Sequence, residues 1–120
     1  MKQKTKLQAI EVLKQILQAL HEERFSDATL IVDESKIENL EEFLEFVVKN
    51  HFESVDEYGV FVDDYDFEQM TFYEYDDGSG FEIEYEMTSD SAPSGMILQL
   101  EFLYSENDSL KCIFVNIDPQ

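Results

Sequence analysis

The residues between Met70 and Met87 sort into two sets about the dipeptide Asp77-Gly78, and this constrains the fold more than any other feature of the chain. Asp-Gly signals a tight two-residue hairpin, whose central residues both need positive φ. Counting outward from that turn pairs Tyr73 with Glu82, Phe72 with Ile83, Thr71 with Glu84 and Met70 with Tyr85. Side chains alternate across a strand. Met70, Phe72, Phe81, Ile83, Tyr85 and Met87 then share one face, and Thr71, Tyr73, Tyr75, Glu82, Glu84 and Glu86 share the other.

A polar stretch from Ser89 to Gly95, with Pro93, separates this hairpin from a second one, Met96 to Tyr104 and Leu110 to Asp118. A turn at Asn107-Asp108 pairs Phe102 with Ile113, Leu100 with Val115 and Leu98 with Ile117, giving a continuous apolar face. Gln99, Glu101, Leu103, Cys112, Phe114 and Asn116 then occupy the opposite face.

The period before residue 53 is helical. Thr5-Lys6-Leu7-Gln8 reads as a capping box, followed by Leu7, Ile10, Leu13, Ile16, Leu17 and Leu20 at helical spacing. Ser35-Lys36-Ile37-Glu38 reads as a second box, followed by Ile37, Leu40, Phe43, Leu44, Val47 and Val48. These stripes predict helices over about 5–24 and 36–50. Thr29-Leu30-Ile31-Val32 fits a short strand and a helical turn equally. Residues 53–69 read as an acidic linker with a strand around Val60.

The expected architecture is a single α+β domain over residues 1–120: two N-terminal amphipathic helices packed on one face of a curved antiparallel sheet of about four strands, a meander over 70–118. A chain of 120 residues suits one core, and ten Phe and six Tyr are more buriable surface than a disordered acidic tail carries.

The formal net charge is −20, from 28 acidic against 8 basic residues. Nucleic acid is an unfavourable ligand for such a chain, because binding a polyanion needs Lys and Arg to displace counterions. Anionic membranes are disfavoured on the same ground. A cationic protein is attracted, with association that weakens as salt rises. No Lys or Arg lies between Lys49 and Lys111, a stretch holding seventeen acidic residues, whereas Lys2, Lys4, Lys6 and Lys14 gather near the N-terminus. The single cysteine, Cys112, forms no intramolecular disulfide and suits a reducing compartment. The N-terminal segment, interrupted by Gln8, Glu11, Lys14 and Gln15, does not read as a signal peptide, and the expected location is the cytoplasm.

Glu82, Glu84 and Glu86 recur about 6.8 Å apart along one strand face, where two charges in water repel by about 0.6 kcal/mol. Glu101 falls beside them if the hairpins are adjacent. A solvated face accounts for such a row. So does a docking surface whose repulsion a basic partner relieves, with Tyr73, Tyr75, Leu103 and Phe114 as apolar anchors. Asp63, Asp64, Asp66 and Glu68 look like the start of a calcium loop. An EF-hand frame begun at Asp64, however, puts Gln69 at the glycine position and Tyr75 at the bidentate glutamate position. One Cys and two distant His do not form a zinc site. His21 and His51 read as residues that favour helix C-termini. Cys112 has only Lys111 as a basic neighbour in sequence, which does not activate a thiolate from the opposite face. Neither catalysis nor a cofactor is expected.

Two helices, an acidic linker and a twisted four-strand meander resemble the cone-like or cystatin-like α+β folds, among them the nuclear transport factor and ketosteroid isomerase families. The resemblance is architectural and carries no family residue over. The layout and acidity also resemble the small cytosolic immunity proteins with which bacteria neutralise cationic nuclease or other toxin domains, and the strand Phe114-Val115-Asn116-Ile117-Asp118-Pro119 is similar to those of such domains. The expected function is stoichiometric binding of a basic protein by Glu82, Glu84, Glu86 and Glu101, with Tyr73, Tyr75 and Phe114, and by Asp63, Asp64, Asp66 and Glu68. The alternatives are a cone-fold ligand binder or enzyme with a pocket between helices and sheet, and an oligomeric scaffold.

Overall fold

The computed structural model describes residues 1–58 and 70–119. They form an α+β structure with three helices, α1 (Gln3–His21), α2 (Phe25–Ile31) and α3 (Leu40–His51). The strands are β1 (Glu34–Ser35), β2 (Met70–Glu74), β3 (Gly80–Ser89), β4 (Ala92–Tyr104) and β5 (Leu110–Pro119). The sheet order is β1-β5-β4-β3-β2, antiparallel except where β1 runs parallel to β5. The helices cover one face, as expected, but the sheet is mixed and five-stranded.

The first predicted helix is α1, which ends at His21 rather than near Arg24, and a second short helix follows it. α1 buries Ala9, Leu13, Ile16, Leu17 and Leu20 and then stops in a Schellman motif. The Arg24 amide donates to the Ala19 carbonyl at 2.8 Å and the Glu23 amide to that of Leu20 at 3.1 Å. Glu23 holds the left-handed position, φ 56°, which usually belongs to glycine. The open segment around Thr29 is helical, and α2 buries Phe25 and Ala28.

Neither expected capping box forms. α1 starts at Gln3 without a side-chain cap. The Ser35 hydroxyl binds within its own turn, accepting from the Ile37 amide at 3.0 Å, and α3 begins later, behind Asn39. Residues 33–36 instead line the edge of β5. The Asp33 amide donates to the Cys112 carbonyl and the Lys36 amide to the Phe114 carbonyl, both at 2.8 Å, while the Asp33 carboxylate accepts from the Cys112 amide.

The β2–β3 register is the predicted one, Tyr73 opposite Glu82 and Met70 opposite Tyr85. Its loop is longer than expected, closed by the Tyr75 amide on the Gly80 carbonyl. Only Gly78 takes positive φ there, not Asp77. The polar stretch after Ser89 is itself a hairpin, for Asp90 and Ser91 both take positive φ between paired Ser89 and Ala92.

In the last hairpin the pairing is shifted by one: Phe102 opposes Cys112 and Leu100 opposes Phe114. The loop centres on Asn107 alone, at φ 70°, so its parity differs from a turn centred between two residues. Val115 is then an extra residue that restores Gln99 opposite Asn116 and Leu98 opposite Ile117. Cys112 and Phe114 therefore enter the core, and Ile113 faces away from it.

The core lies between the helices and the inner sheet face. Phe81 and Phe102 stack at 5.2 Å, Phe72 lies 6.0 Å from Phe81, and Phe43 meets Phe114 edge-on at 6.2 Å. Lys6 and Lys14 lie over the rings of Phe72 and Tyr58. Part of the expected linker is docked rather than free: the Asp56 amide donates to the Thr88 carbonyl at 3.0 Å and its carboxylate accepts from the Ser91 amide at 2.6 Å. The strand expected around Val60 lies outside the described residues.

Candidate interaction surface

Alternation in β3 buries Phe81, Ile83 and Tyr85 against the helices and turns Glu82, Glu84 and Glu86 outward, half-buried by their neighbours. The register completes the row. Tyr73 and Glu101 flank Glu82, and Thr71 and Gln99 flank Glu84. Six of the predicted residues, Tyr73, Tyr75, Glu82, Glu84, Glu86 and Glu101, thus belong to one sheet face.

Glu82 and Glu101 are a like-charge pair placed directly opposite each other on β3 and β4. The Tyr104 amide donates to the Ser79 carbonyl at 3.0 Å. Hydrogen-bonded and non-hydrogen-bonded pairs alternate along an antiparallel ladder, so three steps along, Glu82 and Glu101 form a non-hydrogen-bonded pair, the kind whose side chains lie nearer together. Burial pushes the Glu82 carboxyl above the ordinary 4.5, and the charges of Glu84 and Glu101 push it the same way against the opposing pull of Lys36.

Glu101 is partly relieved. The Tyr75 hydroxyl donates to its Oε2 at 2.5 Å, and Lys36 Nζ lies 3.9 Å from its Oε1. Burial, then the bond to Glu101 and its charge, raise the Tyr75 phenol well above its usual range, so this group stays an O–H donor. Lys111 pairs with Glu34 at 2.5 Å on the β5 side. Among the described residues, Glu82, Glu84 and Glu86 have no ion-pair partner.

Phe114 does not belong to this surface. It is 1% exposed, and the shift of the last hairpin turns Ile113 to the outer side of the sheet in its place, beside Glu101, where its neighbours bury it. Leu103 is half-buried there. Cys112, also expected outside, is buried; burial, followed by the Asp33 charge, pushes its thiol up to about 12. Asp63, Asp64, Asp66 and Glu68 lie outside the described residues. His21 ends α1, with Nδ1 2.8 Å from the Val55 carbonyl and Nε2 3.7 Å from Glu57, and His51 ends α3.

Lys36, Lys111 and Ile113 are members of the face that the sequence pattern did not reveal. Lys36 arrives with β1, and Lys111 and Ile113 arrive together through the odd-numbered loop.

A family model described as a domain of unknown function, DUF7668, matches residues 17–120. Neither the curated proteins nor the solved structures give a match. No described helix is long and apolar enough to cross a membrane.

Proposed function

The chain belongs to the DUF7668 family, and from that premise we propose that it is a stoichiometric protein-binding module that engages a basic protein through the outer sheet face. The observation that carries this reading is the carboxylate row of β3, without an ion pair among the described residues, set against Glu101 as a non-hydrogen-bonded cross-strand pair and bordered by Tyr73, 48% exposed, whose hydroxyl donates to Glu84 at 3.5 Å. Like charges opposed in this way cost stability in the isolated chain, and Glu is a poor strand former. A partner's Lys and Arg convert the same repulsion into attraction, while Tyr73 supplies the aromatic anchor that interfaces favour. An immunity or inhibitor protein, held in a bacterial cytoplasm against a cationic toxin or nuclease domain, is the class with these requirements.

A cone-fold ligand binder calls for a cavity between helices and sheet holding a raised carboxyl. Glu82 is raised on the other side of the sheet, and the stacked rings of Phe81 and Phe102 occupy the interior. The test is capture by the wild-type chain and by Glu82→Lys/Glu84→Lys/Glu101→Lys at low and high salt. The proposal expects a basic partner retained at low salt by the wild type alone; equal retention by the reversed chain refutes it.

A further inference from the structure

A second surface lies on α3, apart from the sheet face. Asn39, Glu42, Phe43 and Phe46 fall at successive helical steps, beside the buried stripe Leu40, Leu44, Val47 and Val48. With Ile37 and Glu38 they line a shallow groove of about 430 Å³. Its floor is apolar and preformed. Ile37 and Phe43 are half-buried against the core, and the Phe43 ring is held edge-on by Phe114. Phe46 stands 60% exposed, an unusual position for a ring whose burial is worth more than most side chains'.

The rim decides what fits. Glu38 and Glu42 are exposed, and neither forms an ion pair among the described residues. Glu45, one residue from Phe46, is already held by Lys49 at 2.8 Å. A second copy of the chain would bring carboxylate rims together on a molecule of net charge −20, and an anionic lipid surface meets the same repulsion.

We propose that this groove binds a short peptide segment carrying one large apolar side chain flanked by lysines or arginines. The apolar side chain covers Phe46 and Phe43, and the flanking cations meet Glu38 and Glu42. This contact is independent of the sheet-face reading.

The probe is a fluorescein-labelled peptide with a central tryptophan between lysines and arginines, compared with the same peptide carrying alanine there, by anisotropy at physiological ionic strength. The charge attraction is common to both, so their ratio isolates the groove. The tryptophan peptide is expected to bind about tenfold tighter. Phe46→Gln removes that preference, while Glu82→Lys/Glu101→Lys, which tests the other face, leaves it intact. Phe46 is exposed, so Phe46→Gln should retain the parent circular dichroism; Glu38→Lys/Glu42→Lys, weakening both peptides, is the second variant. Equal binding of the two peptides, or a tryptophan preference that survives Phe46→Gln, overturns the proposal. So does a dimer in sedimentation that Phe46→Gln dissociates, because a second copy then covers the groove.

Discussion

Glu82 and Glu101 face each other across β3 and β4 as a non-hydrogen-bonded pair, on the sheet face turned away from the helices. Among the described residues only Glu101 has direct partners, the Tyr75 hydroxyl and Lys36, whereas Glu82 feels the Lys36 charge without pairing with it. The pair is therefore a source of local instability, and its removal is measurable without a partner.

Glu82→Gln should stabilise the chain by about 0.5 kcal/mol near neutral pH, read from urea unfolding. The gain depends on pH with a definite sign. The folded Glu82 carboxyl titrates above its ordinary 4.5, so the folded chain holds that proton more tightly than the unfolded chain. The penalty is complete above the folded value and is relieved as pH falls through it towards 4.5. The advantage of Glu82→Gln should shrink over that window; an advantage that grows on acidification contradicts the assignment.

Tyr75→Phe removes the donor to Glu101 and leaves Lys36 at 3.9 Å as its nearest relief. A loss of about 0.5–1.5 kcal/mol in unfolding free energy is expected, and Glu101→Gln in the same background should recover part of it. Additive effects of the two substitutions in a double-mutant cycle would show that the bond contributes nothing.

Phe114→Ala should cost about 3–5 kcal/mol, because the ring is buried against Phe43. A loss below about 1 kcal/mol would return Phe114 to the surface and the last hairpin to its unshifted register.

The difference between those two registers illustrates what the sequence made legible. Asp77-Gly78 centred the first hairpin correctly although the loop around it is wider than a two-residue turn, because both loops share one midpoint. The second loop has its midpoint on Asn107, and nothing in Ser105 to Ser109 separates an odd loop from an even one. The shift exchanged Phe114 for Ile113, and the bulge at Val115 hid it by restoring the predicted pair Leu98 and Ile117. The carboxylate row survived, since β3 alternation depends on the first hairpin alone. β1 was invisible because two residues carry no period, and with it went Lys36, whereas Lys111 was misplaced by the same shift as Ile113.

α1 stops within three residues of its expected end, although no glycine marks the place. Its left-handed residue is Glu23, where a glycine would have marked the stop. Glu23→Gly should raise stability by about 0.5–1 kcal/mol, seen as a higher urea midpoint with unchanged slope. A lower midpoint would mean that Glu23 does not hold that conformation.

On the proposed function, a partner docks on the outer face of β3 and β4. The direct measurement is backbone amide NMR of the chain titrated with the basic protein it captures. A one-to-one complex is expected, with the largest shift changes on Tyr73, Glu82, Glu84 and Glu101. Changes confined to α1 and α2, with those four residues unmoved, would contradict it.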